Sequence, residues 1–138
     1  MIHLIYVSSA TSDMTNNDLL FLLGQSRDRN KRQNITGMLL YVNGSFIQVL
    51  EGPRGDVEEI YDAIVKDDRN TGNIVIANTE IPQRDFPTWS MGFKQITKQD
   101  AELVDGATDF VHRAYTPEQL ASMPTVVKLL YQFKETNA

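Results

Sequence analysis

The dipeptide Asn43-Gly44 constrains the fold of this chain more than any other feature. It separates two apolar runs, Ile35 to Val42 and Ser45 to Leu50, each of the length of a buried strand. Asn and Gly readily adopt the two positive φ angles of a type I′ turn. The sequence therefore predicts a tight antiparallel hairpin at this point.

Short apolar runs and amphipathic stretches on either side extend this pattern. Before the hairpin they predict a strand over His3 to Ser8 and a helix from a Thr15 cap to about Asn30. After it they predict a helix around Val57 to Val65 and a strand over Ile74 to Ile81. A last strand is predicted where Trp89, Met91 and Phe93 alternate with Ser90, Gly92 and Lys94. The order βαββαββ fits an α+β, ferredoxin-like sheet with two helices on one face. In such a sheet the first strand and the strand that carries Gln48 lie side by side at the centre.

Helical patterns also follow the last predicted strand. A weak helix is predicted near Gln99 to Asp105 and a better one from Pro117 to Phe133, with Thr116 as its cap and a break at Pro124. We expect residues 2–97 to form one domain. Residues 98–138 are expected to be a C-terminal helical extension that packs on the sheet or on a partner protomer.

Composition and charge exclude several classes of function. The 138 residues contain no cysteine, and His3 and His112 are the two histidines, so thiol chemistry and His-based zinc sites are not expected. The net charge of -5 has the wrong sign for neutralising nucleic-acid phosphates. The N-terminus lacks a basic segment, and no stretch approaches the roughly 20 apolar residues that span a bilayer. We therefore expect a cytoplasmic protein with neither a membrane nor a direct nucleic-acid partner.

Gln48 is a polar side chain on a strand face that Phe46 and Leu50 make apolar. Leaving one of its hydrogen bonds unmade would cost about 1 to 3 kcal/mol, so a polar group must lie opposite. One interpretation is an ordinary core glutamine satisfied by backbone or water; another is a bond to the hydroxyl of Tyr6. Tyr6 and Asn30 likewise have plain alternatives, as a core aromatic residue and as a helix C-cap.

Five short motifs occur in order along the chain. They are Tyr6-Val7-Ser8, Asn30 to Gly37 (NKRQNITG), Ser45 to Gly52 (SFIQVLEG), Asp68-Arg69 and Trp89-Ser90-Met91. With this set the sequence resembles a BLUF domain, a sensor of blue light using flavin, over about residues 2 to 97. The segment that follows looks like the C-terminal helices of short, stand-alone members. Taken singly, Trp89 and Met91 would be core residues and Arg69 a solvated charge.

The resemblance implies a flavin held without a covalent bond between the two helices. Asn30 would bind the pyrimidine edge of the ring, and Gln48 would bridge the ring and the Tyr6 hydroxyl. Arg69 would contact the phosphate tail, and Arg29 either the ring edge or the phosphate. The remaining implied contacts are Ser8, Leu22, Ser26, Leu39, Phe46, Ile64 and Asp68.

The implied function is a blue-light photoreceptor without enzymatic activity. Light would remove an electron and a proton together from Tyr6 and rearrange the hydrogen bonds of Gln48, giving a reversible red-shifted state. Trp89 and Met91 would pass the change to a downstream signalling protein, and by family habit we expect a homo-oligomer and a bacterial source. FAD is the expected cofactor. FMN and riboflavin are alternatives, because Asn70 stands where the family often has His.

Two other functions are compatible with the same fold. An acylphosphatase-like enzyme needs a Gly-rich phosphate cradle with an Arg after the first strand, and Ser8 to Ser12 (SSATS) lacks both. The other is a flavin-binding or empty scaffold that does not photocycle. The presence of both Tyr6 and Gln48 argues against such a scaffold.

Overall fold

Two strands pair antiparallel at the centre of the sheet in the computed structural model, which describes residues 1–134. They are β1 (Ile2–Ala10) and β3 (Ser45–Gly52); the others are β2 (Thr36–Val42), β4 (Asn70–Glu80) and β5 (Gly92–Gln95). Within the described residues the strand order is β4-β1-β3-β2-β5, with β5 parallel to β2 and the other pairs antiparallel. The predicted ferredoxin-like α+β fold and the central place of the Gln48 strand are confirmed.

The predicted hairpin joins β2 to β3. Asn43 and Gly44 have φ angles of 47° and 80°, as a type I′ turn requires. The turn sets Val42 opposite Ser45, and the ladder then continues along both strands. β3 runs on to Gly52, two residues beyond the predicted end, so it is long enough to pair with all of β2.

Helices α1 (Asn16–Arg32) and α2 (Arg54–Lys66) cover one face of the sheet. At the start of α1 the Asp18 N–H donates to the Thr15 hydroxyl and the Thr15 N–H donates to the Asp18 carboxylate, so a capping box begins this helix. α1 runs past Asn30, which is buried inside its last turn and is not its C-cap. The core of this face includes Leu4, Leu19, Leu23, Leu50, Val57 and Ile60.

Residues 98–134 cover the opposite face. They form α3 (Lys98–Glu102), a 3₁₀ turn (Thr108–Val111), α4 (Pro117–Ala121) and α5 (Thr125–Gln132). The predicted break at Pro124 separates α4 from α5. The core of this face joins Val7, Met38, Ile47 and Val49 of the strands to Phe110, Leu120, Val126 and Leu129. Residues 135–138 of the predicted extension lie outside the described part.

The prediction of a strand that includes Trp89 and Met91 is wrong, because β5 begins only at Gly92. The Trp89 N–H donates to the Phe86 carbonyl, and the indole ring folds over Gly92, with ring atoms 2.3 Å from where a Cβ would lie. The chain therefore turns here instead of extending. As a result Met91 joins the core under α1 and α2, whereas Trp89 packs against the core on the other face.

Among residues 1–134, no helix is both long and apolar enough to cross a membrane.

Gly37 in β2 has no room for a side chain. A Cβ at this position would lie 2.0 Å from the Val49 carbonyl oxygen of β3. Because Gly37→Ala must push the two strands apart, we expect it to lower the free energy of unfolding by about 3 kcal/mol in urea denaturation. Gly24→Ala is the matched control, since nothing lies within 4 Å of its Cβ and alanine should stabilise α1 by about 0.5–1 kcal/mol. Equal stability of the two variants would contradict this packing.

Candidate functional site

The register of β1 and β3 places Tyr6 directly opposite Gln48. The Tyr6 hydroxyl donates to Gln48 Oε1 at 2.5 Å, and Gln48 Nε2 donates to the sulfur of Met91 at 3.3 Å. The three residues are 3%, 3% and 1% exposed. Both ends of the carboxamide are thus engaged, so its orientation decides which neighbour meets a donor and which meets an acceptor.

Tyr6 lies in an apolar and aromatic environment. Burial raises the pKa of its hydroxyl well above the ordinary value, and the nearby Tyr61 adds to this increase. The two rings lie 5.3 Å apart between centroids, inclined at 58°. Tyr6 therefore stays protonated at neutral pH and remains a hydrogen-bond donor to Gln48.

A narrow cleft of about 40 Å³ between α1 and α2 leads to this pair. The sequence-predicted site residues that line it are Tyr6, Leu22, Ser26, Arg29, Leu39, Phe46, Gln48, Ile64 and Arg69. Asp67 and Asn70 also line the cleft and were not predicted as contacts. The predicted Asp68 is exposed outside the cleft, where the Thr11 hydroxyl donates to its carbonyl. The carboxylate that lines the cleft is therefore that of Asp67, one residue before the predicted Asp68.

Charged side chains close the mouth of the cleft. Arg69 donates to Asp67 through Nε at 2.9 Å and to Gln25 of α1 through Nη1 at 2.8 Å. Its hydrogen bond lowers the pKa of Asp67, and the carboxylate in turn raises the pKa of Arg69. Burial lowers the pKa of Arg29. The bond from Arg69 to Gln25 ties the turn after α2 to α1.

Two of the predicted site residues, Asn30 and Ser8, are fully buried and do not line the cleft. Asn30 Nδ2 donates to the Ser90 carbonyl at 2.7 Å. Asn30 Oδ1, Ser8 Oγ and Arg29 Nε have no hydrogen-bond partner within the described part of the chain. Such atoms are costly when unpaired, at about 1–3 kcal/mol each. This end of α1 therefore offers an acceptor and a donor that a ligand can satisfy.

Glu51 was missed by the sequence analysis, although it anchors the connection that carries Trp89 and Met91. Its buried carboxylate accepts from the Thr36 hydroxyl at 2.9 Å and from the N–H groups of Asp85 and Phe86 at 2.6 and 2.9 Å. The Phe86 ring lies 5.7 Å from that of Trp89. The signal available was the same as for Gln48, a polar residue in an apolar strand.

Comparison with known proteins identifies the family. The family model "Sensors of blue-light using FAD" matches residues 1–92. The chain belongs to the BLUF family. The strand register, the Tyr6–Gln48 pair and the cleft described above therefore lie within a BLUF domain.

Solved structures extend the similarity beyond the BLUF match. BlsA in its photo-activated state has a TM-score of 0.81 at 25% identity, covering 97% of this chain and 94% of that chain. BlrB, a BLUF protein in its dark state, has a TM-score of 0.77 at 26% identity, covering 99% and 96%. Photoactivated adenylate cyclase subunit beta of Euglena gracilis is 38% identical over 89 residues, 64% of this chain. That match spans only 10% of the Euglena protein.

BLUF proteins bind flavin without a covalent bond, and the cleft residues fit such a ligand. Apolar walls suit a planar ring. Arg29, a lining residue, has an unpartnered buried donor in Nε, and the next residue, Asn30, has an unpartnered buried acceptor in Oδ1. The cleft is narrower than pockets of about 300–1,000 Å³ that hold drug-sized ligands. The side chains that line it must therefore move apart to admit a tricyclic ring. No cluster of three or more His, Asp or Glu among residues 1–134 is arranged to hold a metal ion.

Glu51→Gln should keep two of the three hydrogen bonds that the Glu51 carboxylate accepts and lose the third. The glutamine oxygen can keep the bonds from Thr36 and Phe86, but its NH₂ group would face the N–H of Asp85. We expect the free energy of unfolding to fall by about 1–3 kcal/mol in urea denaturation. The exposed Glu58→Gln should change it by less than about 0.5 kcal/mol. A Glu51→Gln protein as stable as the Glu58→Gln control would contradict the anchor.

Proposed function

We propose that this chain is a blue-light receptor that holds FAD in the cleft and passes a light-induced change to a partner protein. The observation that carries this proposal is the chain of hydrogen bonds from Tyr6 through Gln48 to Met91. It places one carboxamide between a phenol and a thioether at the wall of the cleft. A rearrangement of that single group changes the bonding of both neighbours.

The residues around the cleft divide the work of holding the flavin. Leu22, Leu39, Phe46 and Ile64 supply the apolar walls. Asn30 Oδ1 accepts a hydrogen bond from the polar edge of the ring. Arg69 is already engaged by Asp67 and Gln25, so Arg29 is the cation best able to bind the phosphate tail.

Tyr6 and Gln48 form the photoactive pair. A bound flavin would supply the oxidant, since an excited flavin readily takes up one electron. Tyr6 would give that electron to the flavin and its hydroxyl proton to Gln48 along the 2.5 Å bond. When the electron returns, Gln48 would give a proton back to Tyr6, so that only the donor and acceptor ends of the carboxamide have been exchanged. This leaves a metastable arrangement that relaxes in the dark.

Met91 and Trp89 carry the change away from the pair. Met91 loses the donor of Gln48 when the carboxamide rearranges, and Trp89 lies two residues along on the opposite face. There the Phe86 ring lies between the rings of Trp89 and Tyr131 of α5. The centroids of Phe86 and Tyr131 are 5.8 Å apart. We therefore propose that the C-terminal helices meet the effector protein or a second copy of the chain, and that this chain has a photosensory and not an enzymatic role.

Absorption spectra in the dark and after blue light test the function. We expect a flavin spectrum that shifts to the red without bleaching and recovers in the dark. Tyr6→Phe and Gln48→Leu should stay folded and yellow but lose the shift, because each removes polar atoms from the pair and spares the walls. Tyr61→Phe is the matched control, since it removes a neighbouring phenol hydroxyl and should keep the shift. A bound flavin that only bleaches, or a full shift in either pair variant, would refute the proposal.

Asn30→Ala should weaken flavin retention. The change removes the buried acceptor, so the dissociation free energy should fall by about 1–3 kcal/mol, measured by equilibrium dialysis in the dark. Asn17→Ala, at an exposed position of the same helix, should leave retention unchanged. Equal retention by the two variants would remove Asn30 from the binding site.

A further inference from the structure

Residues 89–91 pass from one face of the sheet to the other, and each of their carbonyl groups accepts a hydrogen bond from a different residue. The Gly37 N–H donates to Trp89 O at 3.1 Å, and Asn30 Nδ2 donates to Ser90 O at 2.7 Å. Arg27 Nε donates to Met91 O at 2.9 Å. The path of this segment is therefore set by donors on β2 and α1.

Arg27 and Asn30 lie three residues apart on α1, so they project from the same side of the helix. Asn30 is buried and Arg27 is exposed, and neither lines the cleft. Arg27 thus reaches the segment from outside the flavin site. Its contact is with the residue whose sulfur accepts the Gln48 amide.

The Met91 side chain is buried in the core, but the other side of the segment faces open space. A groove of about 300 Å³ runs there, lined by Arg27 and residues 88–93. Methionine side chains have three rotatable bonds and adapt easily to their surroundings. A hydrogen bond to the Met91 backbone therefore adds to core packing in keeping its sulfur within 3.3 Å of Gln48 Nε2.

We propose that Arg27 is a positioning residue of the light response. Its guanidinium holds the Met91 carbonyl and thereby keeps the Met91 sulfur facing the Gln48 amide in the dark arrangement. The proposal rests on the proposed function of the Tyr6–Gln48 pair. It adds a route from α1 to the output segment that touches neither the flavin nor Gln48.

The rate of dark recovery should depend on this bond. Return to the dark arrangement places Met91 again beside the Gln48 amide, and the Arg27 bond stabilises that end point. An interaction that is already formed in the transition state of a step changes the rate of that step. We expect loss of Arg27 to slow recovery by about three- to tenfold, a modest change suited to an exposed hydrogen bond.

The test compares Arg27→Met with Lys31→Met, which removes one positive charge from an exposed position of the same helix. The purified protein is labelled with ¹³C at its methionine methyl groups, five in the wild-type chain and six in each variant, and Met91→Leu made in each background assigns the Met91 signal. In the dark, Arg27→Met should shift or broaden that signal, and Lys31→Met should not. After blue light, recovery should slow in Arg27→Met alone. Far-UV circular dichroism checks that both variants fold.

An unchanged Met91 signal in Arg27→Met would overturn the proposal, even if recovery changed, because Arg27 would then act through its charge. A shift in both variants would overturn it for the same reason. The dark measurement needs no light response. A wild-type protein without a red shift would therefore refute the proposed function, while the methyl signals alone would still decide whether Arg27 holds Met91.

Discussion

A buried carboxamide connects the central strands of the sheet to the segment between β4 and β5. Gln48 lies between the hydroxyl of Tyr6 and the sulfur of Met91, with little access to water. Inside a protein each unmade hydrogen bond is costly, so the group holds both neighbours in place. The β1–β3 register supplies one neighbour, and the connection between β4 and β5 supplies the other. The fold around the site serves to keep these three side chains together.

Local chemistry made much of this arrangement predictable. The turn at Asn43-Gly44, the Thr15 cap and the break at Pro124 depend on neighbouring residues, so the sequence alone specifies them. The alternation of β3 similarly indicated that Gln48 is buried. The order of strands in the predicted sheet made a bond with Tyr6 one of two interpretations, beside an ordinary core glutamine, and the structure contains that bond.

Features that depend on distant contacts were not predictable. Alternation placed Trp89 and Met91 on one face, but the indole ring packs over Gly92 and turns the chain. Adjacent aspartates gave no sign that Asp67 and not Asp68 would line the cleft. Arg27 has the pattern of a solvated charge, and only the position of the Met91 carbonyl in space reveals its contact.

The crossing between Trp89 and Met91 delivers the chain to β5, which pairs with β2 in a single register. Successive side chains of a strand point to opposite faces, so sliding β5 by one residue along β2 would exchange its inward and outward side chains. Between two registers the ladder bonds are broken. Any shift of β5 along β2 would therefore come in whole-residue steps rather than as a gradual slide.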